Sequence, residues 1–97
     1  MEMDEMHRLI NDAIRERRRL AFVYAGKLRR VEPQCYGIGR QRTRLLRAHQ
    51  LSEGSNAEPL FDLAKASAFA VLDETFTAPG PNYKRNDSAM VEIFAQL

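Results

Sequence analysis

Residues 20–33 read Leu20-Ala21-Phe22-Val23-Tyr24-Ala25-Gly26-Lys27-Leu28-Arg29-Arg30-Val31-Glu32-Pro33. Leu20, Phe22 and Tyr24 alternate with Ala21, Val23 and Ala25, the period of a half-buried strand over 20–25. Ala25-Gly26-Lys27 is a turn in which Gly26 can take a positive φ. Residues 28–36 then form the return strand of a hairpin. Pro33 has no N–H for a ladder, so the return strand meets an edge or a bulge there. The alternation places Arg29 on the face of Val31, Pro33 and Cys35, the inner face of the strand. A cation on that face needs a partner, because desolvating it costs several kcal/mol.

Outward from the hairpin, Met6, Leu9, Ile10, Ala13, Ile14 and Arg17 follow the three-four spacing of an amphipathic helix over 4–18. Asp4 is a suitable N-cap. Arg17, Arg18 and Arg19 fall at the negative helix end, where they offset the dipole or contact phosphates. Gly37–Gln41 reads as the next turn and 42–51 as a third strand. Ser52–Pro59 is a polar loop. Leu60–Leu63 and Phe69–Phe76 are two more strands, with a helical turn expected over Ala64–Ala68. Pro79-Gly80-Pro81 breaks the pattern. Asn86 or Asp87 can then cap a last helix carrying Met90, Ile93, Phe94 and Leu97. The expectation is one mainly β domain over 1–97. It has a helix (4–18), a small five-stranded barrel (20–76), partly open or closed, and an extension with a C-terminal helix (77–97).

The chain has 97 residues, 44% of them apolar, and a formal charge of +2. The charge is unevenly spread. Between Arg15 and Arg47 stand eleven cations, ten of them arginine, against only Glu16 and Glu32. Such a run favours an anionic partner, and the planar guanidinium suits phosphate and carboxylate. Cys35 is the single cysteine, which excludes an internal disulfide or cysteine metal site. His7 and His49 have no partners at metal-ligand spacing. Gly37-x-Gly39 lacks the third glycine and following helix of a phosphate loop. Cys35 has no base in an evident pattern. The expectation is a non-enzymatic protein without cofactor or metal. The acidic first residues carry no secretory signal, and no run reaches membrane-spanning length, so the reading is cytoplasmic, with no membrane partner.

Several stretches taken in order are similar to the WYL domain. They are Ile14-Arg15-Glu16-Arg17-Arg18-Arg19-Leu20, Phe22-Val23-Tyr24, Arg29-x-Val31-x-Pro33, Leu46-x-Ala48, Leu60–Lys65 and Val71-Leu72-Asp73-Glu74-Thr75-Phe76. The resemblance spans roughly residues 9–76. It implies an Sm-like, SH3-type small barrel preceded by a helix. It also implies a role in sensing a nucleotide or single-stranded nucleic acid, as in bacterial transcription regulators where the domain follows a winged helix-turn-helix. With no room for that helix-turn-helix, this chain resembles a stand-alone member. The triplet that names the family aligns with Arg44-Leu45-Leu46, of which only the last residue is retained. In the family's later arginine-rich stretch, Pro59 and Asp62 replace arginines and Lys65 replaces another.

The candidate ligand residues are Arg29, Lys65, Arg44, Arg47, Tyr24 and His49. Arg29 and Lys65 match basic family positions, and a cleft holding both would attract a phosphate. The competing reading pairs them with Asp62, Asp73 or Glu74. Arg47 and His49 share one strand face and Arg42 and Arg44 the other, so the cluster is split. Tyr24 packs with its hydroxyl toward the cleft. A second function class is an interaction domain of Sm-like type with no ligand of its own. It would assemble through edge strands or the C-terminal helix into a homo-oligomer, a dimer first.

Overall fold

A computed structural model describes residues 3–51 and 58–97. Its elements in order are α1 (Met3–Glu16), β1 (Arg18–Tyr24), β2 (Lys27–Gly39), β3 (Arg44–Gln50), β4 (Leu60–Asp62), a 3-10 turn (Leu63–Lys65), β5 (Ala66–Thr75) and β6 (Met90–Gln96). All pairings are antiparallel. The strand order is β4-β3-β2-β1-β5, with β6 paired to β2.

Met6, Ile10, Ala13 and Ile14 of α1 are buried, as the spacing demands. Asp4 lies inside the first turn instead of capping it. The helix stops at Glu16 because Arg17 turns left-handed (φ 55), its N–H reaching Ile14 O at 3.2 Å. The chain then enters β1 directly, so Arg18 and Arg19 stand on a strand rather than at the helix end. Ala25 (φ 53) and Gly26 (φ 75) carry the paired positive φ of a type I′ hairpin turn.

The long strand β2 organises the molecule. One edge pairs β3 from Val31 to Ile38. Its other edge carries β1 opposite Lys27–Val31 and β6 opposite Cys35–Gly39. The changeover coincides with a register shift between Pro33 and Cys35, the bulge expected where proline cannot donate. The bulge also switches the side-chain parity. Val31 and Tyr36 both enter the main core, whereas Gln34 and Cys35 line a cleft elsewhere. The single inner face expected for Arg29, Val31, Pro33 and Cys35 therefore ends at Pro33.

Two expectations about shape are corrected. The sheet has six strands and is open, not a closed five-stranded barrel. Its ends still curl over one core. Phe61 on β4 and Phe69 on β5 both touch Phe22 of β1, with ring centroids 5.0 and 5.1 Å away. Their edges do not pair, since three-residue β4 offers little ladder to ten-residue β5. The C-terminal helix is also absent. Residues 90–96 are a strand on the edge of β2 that β1 vacates. An isolated helix of that length is marginal in water, whereas the vacant edge satisfies the backbone at once.

Smaller boundaries move for local reasons. Gly37–Gly39 extend β2, and the turn is Arg40–Thr43, with Arg42 at φ 61. The expected helical turn at 64–68 is the 3-10 turn Leu63–Lys65, capped by Asp62, whose carboxylate accepts from Ala64 N–H. Of the expected loop Ser52–Pro59, positions 52–57 lie outside the described residues. Among the described residues no helix is long and apolar enough to cross a membrane.

Candidate functional site

Folding brings acids onto much of the arginine run. Arg18 meets Glu16 (3.1 Å), Arg19 meets Glu32 (3.0 Å), Arg30 meets Glu74 (2.6 Å) and Arg47 meets Asp87 (2.8 Å). Arg15 pairs with Asp12. Five of the eleven cations are thus compensated. Arg30 and Arg19 together hold the Glu74 carboxyl below its usual range, the Arg30 hydrogen bond first among the causes.

Arg29 is different. Its position opposite Phe22 puts it on the core face, and it is half-buried there. No carboxylate reaches it among the described residues. Nε and Nη2 both donate to Tyr24 O at 3.2 Å, and Nη1 donates to Gln50 Oε1 at 3.3 Å. Its Cζ stands 5.8 Å from the centre of the Tyr24 ring. The sequence offered two ways to settle this cation, an acid or a ligand. The fold uses a third: a carbonyl, an amide oxygen and an aromatic face, which solvate the guanidinium and leave its charge uncancelled. Tyr24 itself packs 5.0 Å from Phe61 and accepts a 3.3 Å hydrogen bond from Asp62 N–H. Its ring is half-buried and packs against the core. Lys65 is exposed and precedes Ala66, the partner of Tyr24 in the β1–β5 ladder. Arg29, Tyr24 and Lys65 thus share one end of the sheet.

The other candidates stand elsewhere. Arg44, opposite Ile38 near the far end of β2, donates through Nη1 to Tyr36 Oη (2.9 Å). The same nitrogen lies 3.0 Å from His7 Nδ1. Tyr36 Oη is 2.9 Å from His7 Nδ1, and Arg44 Cζ sits 5.6 Å from the centre of the Phe94 ring. Burial pushes the Tyr36 phenol above its usual range, against the opposing hydrogen bond from Arg44.

Arg47 belongs to a third place, a polar cleft of about 260 Å³ under the β5–β6 connection. Fully buried Gln34 donates to Glu58 Oε1 (2.9 Å) and accepts from Gly80 N–H (2.6 Å). Glu58 Oε2 accepts from Asn82 N–H at 2.6 Å, and Glu58 O accepts from Arg47 Nη1 at 3.2 Å. Burial works against the Asp87 charge. Hydrogen bonds from Arg47 and Ala89 N–H outweigh it and hold the carboxyl low. His49 is half-buried near this network, and its Nδ1 has no hydrogen-bond partner among the described residues. Cys35 lies 3.5 Å from Met90 Sδ, its thiol pushed up to about 11 by burial and by Asp87, which leaves it a poor nucleophile.

The expected cleft therefore divides. Arg29, Tyr24 and Lys65 share one end, Arg44 stands toward the other, and Arg47 and His49 lie beneath the β5–β6 connection. Sequence reasoning passed over Gln34 and Glu58. The one local signal was Gln34, a lone amide among Pro33, Cys35, Tyr36, Gly37 and Ile38 in the second half of β2. Among the described residues no three of His, Cys, Asp and Glu gather as a metal site. Comparison with known families, curated proteins and solved structures finds no match to this chain.

Proposed function

We propose that this chain is a non-enzymatic regulatory module that binds a phosphate-bearing ligand, a nucleotide or single-stranded nucleic acid, at the Arg29 end of the sheet. The observation that carries the reading is the uncancelled charge of half-buried Arg29. Its fork is oriented by Tyr24 O and Gln50, and each terminal nitrogen keeps a hydrogen for a phosphate oxygen. Lys65 supplies a second charge from the adjoining turn. The resemblance of residues 9–76 to the WYL domain supports the same ligand class. So does the architecture: a helix ahead of a curled sheet, a partly open counterpart of the Sm-like barrel which that resemblance implies.

Fluorescence-anisotropy titration with labelled short oligonucleotides tests this at two salt concentrations. Single-strand binding should weaken with salt and be lost in Arg29→Ala/Lys65→Ala. Binding that survives in the double variant refutes the Arg29 site, and no binding at low salt refutes the nucleic-acid version.

A second reading, assembly, rests on β5, whose ten residues pair β1 along one edge only among the described residues. An exposed edge can pair with a second copy. A monomer by analytical ultracentrifugation at high concentration would refute it.

A further inference from the structure

The polar cleft under the β5–β6 connection holds about 260 Å³ and shares no lining residue with the Arg29 end. Gln34, Cys35 and Glu58 are its buried lining, and Asn82, Lys84 and Ser88 are its exposed lining. The buried polar groups are already engaged, Gln34 through both ends of its amide and Glu58 through both carboxylate oxygens. The exposed ones are not. The side chains of Asn82 and Ser88 make no hydrogen bond among the described residues, although the Asn82 backbone N–H is anchored on Glu58 Oε2 at 2.6 Å. Tyr83 also lines the cleft. It is half-buried, and its hydroxyl donates to Leu97 O at 2.6 Å, which holds the phenol in place.

The charges around the cleft cancel. Arg47 pairs with Asp87 at 2.8 Å, and Lys84 and Glu58 add one charge of each sign. An anion entering here meets two carboxylates, and a cation meets Arg47 and Lys84. Neither finds a surplus of countercharge to offset its desolvation, so the cleft suits an uncharged ligand.

We propose that this cleft is a second ligand site, for a small uncharged ring compound with a lactam edge, the class of a pyrimidine nucleoside. A lactam sets an N–H beside a C=O, and the side-chain amide of Asn82 offers the matching acceptor and donor. The flat ring lies against Tyr83. The site uses none of the residues assigned to phosphate binding at Arg29 and stands or falls separately.

The probe is uridine, titrated into ¹⁵N-labelled full-length chain and followed by amide and Arg Nε–H shifts. Expected are saturable shifts at Asn82, Tyr83, Ser88 and the Arg47 Nε–H, with Kd of ~1 mM. An uncharged ligand releases no counterions, so Kd should change less than about twofold between ~20 and ~300 mM salt. 3-Methyluridine, which lacks the ring N–H, should bind about tenfold more weakly. Asn82→Leu should remove that difference. Asn82 is exposed and holds Glu58 through its backbone, so the variant keeps that contact. Arg29→Ala should leave uridine binding unchanged. No saturable shift up to ~20 mM overturns the proposal. So does an affinity that falls steeply with salt, equal binding of 3-methyluridine, or loss of the shifts in Arg29→Ala.

Discussion

Gly37→Ala is the substitution that probes the architecture most directly. Gly37 is a buried residue of β2, and β6 crosses it at Ile93. A β-carbon added there would stand 3.0 Å from Ile93 Cα and 2.9 Å from Met90 Sδ, with the Glu92 carbonyl oxygen closer still. Met90 can swing its flexible end away, but the backbone of β6 cannot, so the strand must retreat by roughly 1 Å. That retreat stretches the neighbouring ladder bonds, each worth about 0.5–1.5 kcal/mol net, and overpacking adds about 1–3 kcal/mol. The expected loss is about 2–4 kcal/mol, a large part of the stability of a domain this size. Urea denaturation measures the total. Hydrogen exchange locates it, with amides of residues 90–96 losing protection before those of β1. Gly26→Ala is the control: it sits at φ 75 with nothing within 4 Å of the added carbon. It should cost about 1 kcal/mol without touching β6. A change below about 0.5 kcal/mol in Gly37→Ala, or unaltered protection of 90–96, refutes the β2–β6 argument.

Other outcomes follow from the same contacts. Ala25 sits at φ 53 in the hairpin turn, so Ala25→Asn should stabilise by about 0.5–1 kcal/mol in urea titrations. The low carboxyl of Asp87 contributes stability that is present above pH 4 or so and is lost as pH falls through its folded-state value. Asp87→Asn should therefore flatten the acid limb of a stability–pH curve, and an unchanged limb would count against the Arg47 pair. Cys35, raised from 9.0 to about 11, contributes stability below pH 9 that is lost as pH rises through about 11. Between those pH values wild type should lose about 2 kcal/mol more than Cys35→Ala, and iodoacetamide should label the native thiol only on the timescale of opening.

The hairpin was legible because its signals are local. Alternation in 20–25, Gly26 and the missing N–H of Pro33 each act within a few residues, and the strands, turn and bulge lie where they point. The stripe of α1 was legible for the same reason. Residues 90–97 were not. Met90, Ile93 and Phe94 suit a helix by spacing and a strand by type, and the choice depends on an edge of β2 more than fifty residues away in sequence. The parity switch at the bulge is a second case. It sends Tyr36 into the core, and with it His7 and Arg44 come together.

The candidate residues were legible as a set of cations and not as a site. Residue order and periodicity determined that this chain carries more arginine than its nearby acids can balance, in a mainly β domain with a helix in front. Which arginines stay uncancelled was decided only by the tertiary structure. Arg30 and Arg47 meet Glu74 and Asp87, each forty or more residues distant, whereas Arg29 and Arg44 are set against carbonyl, amide, hydroxyl and aromatic groups. An ion pair falls off over a few ångströms and depends on which strands lie side by side. Sequence order does not contain that adjacency.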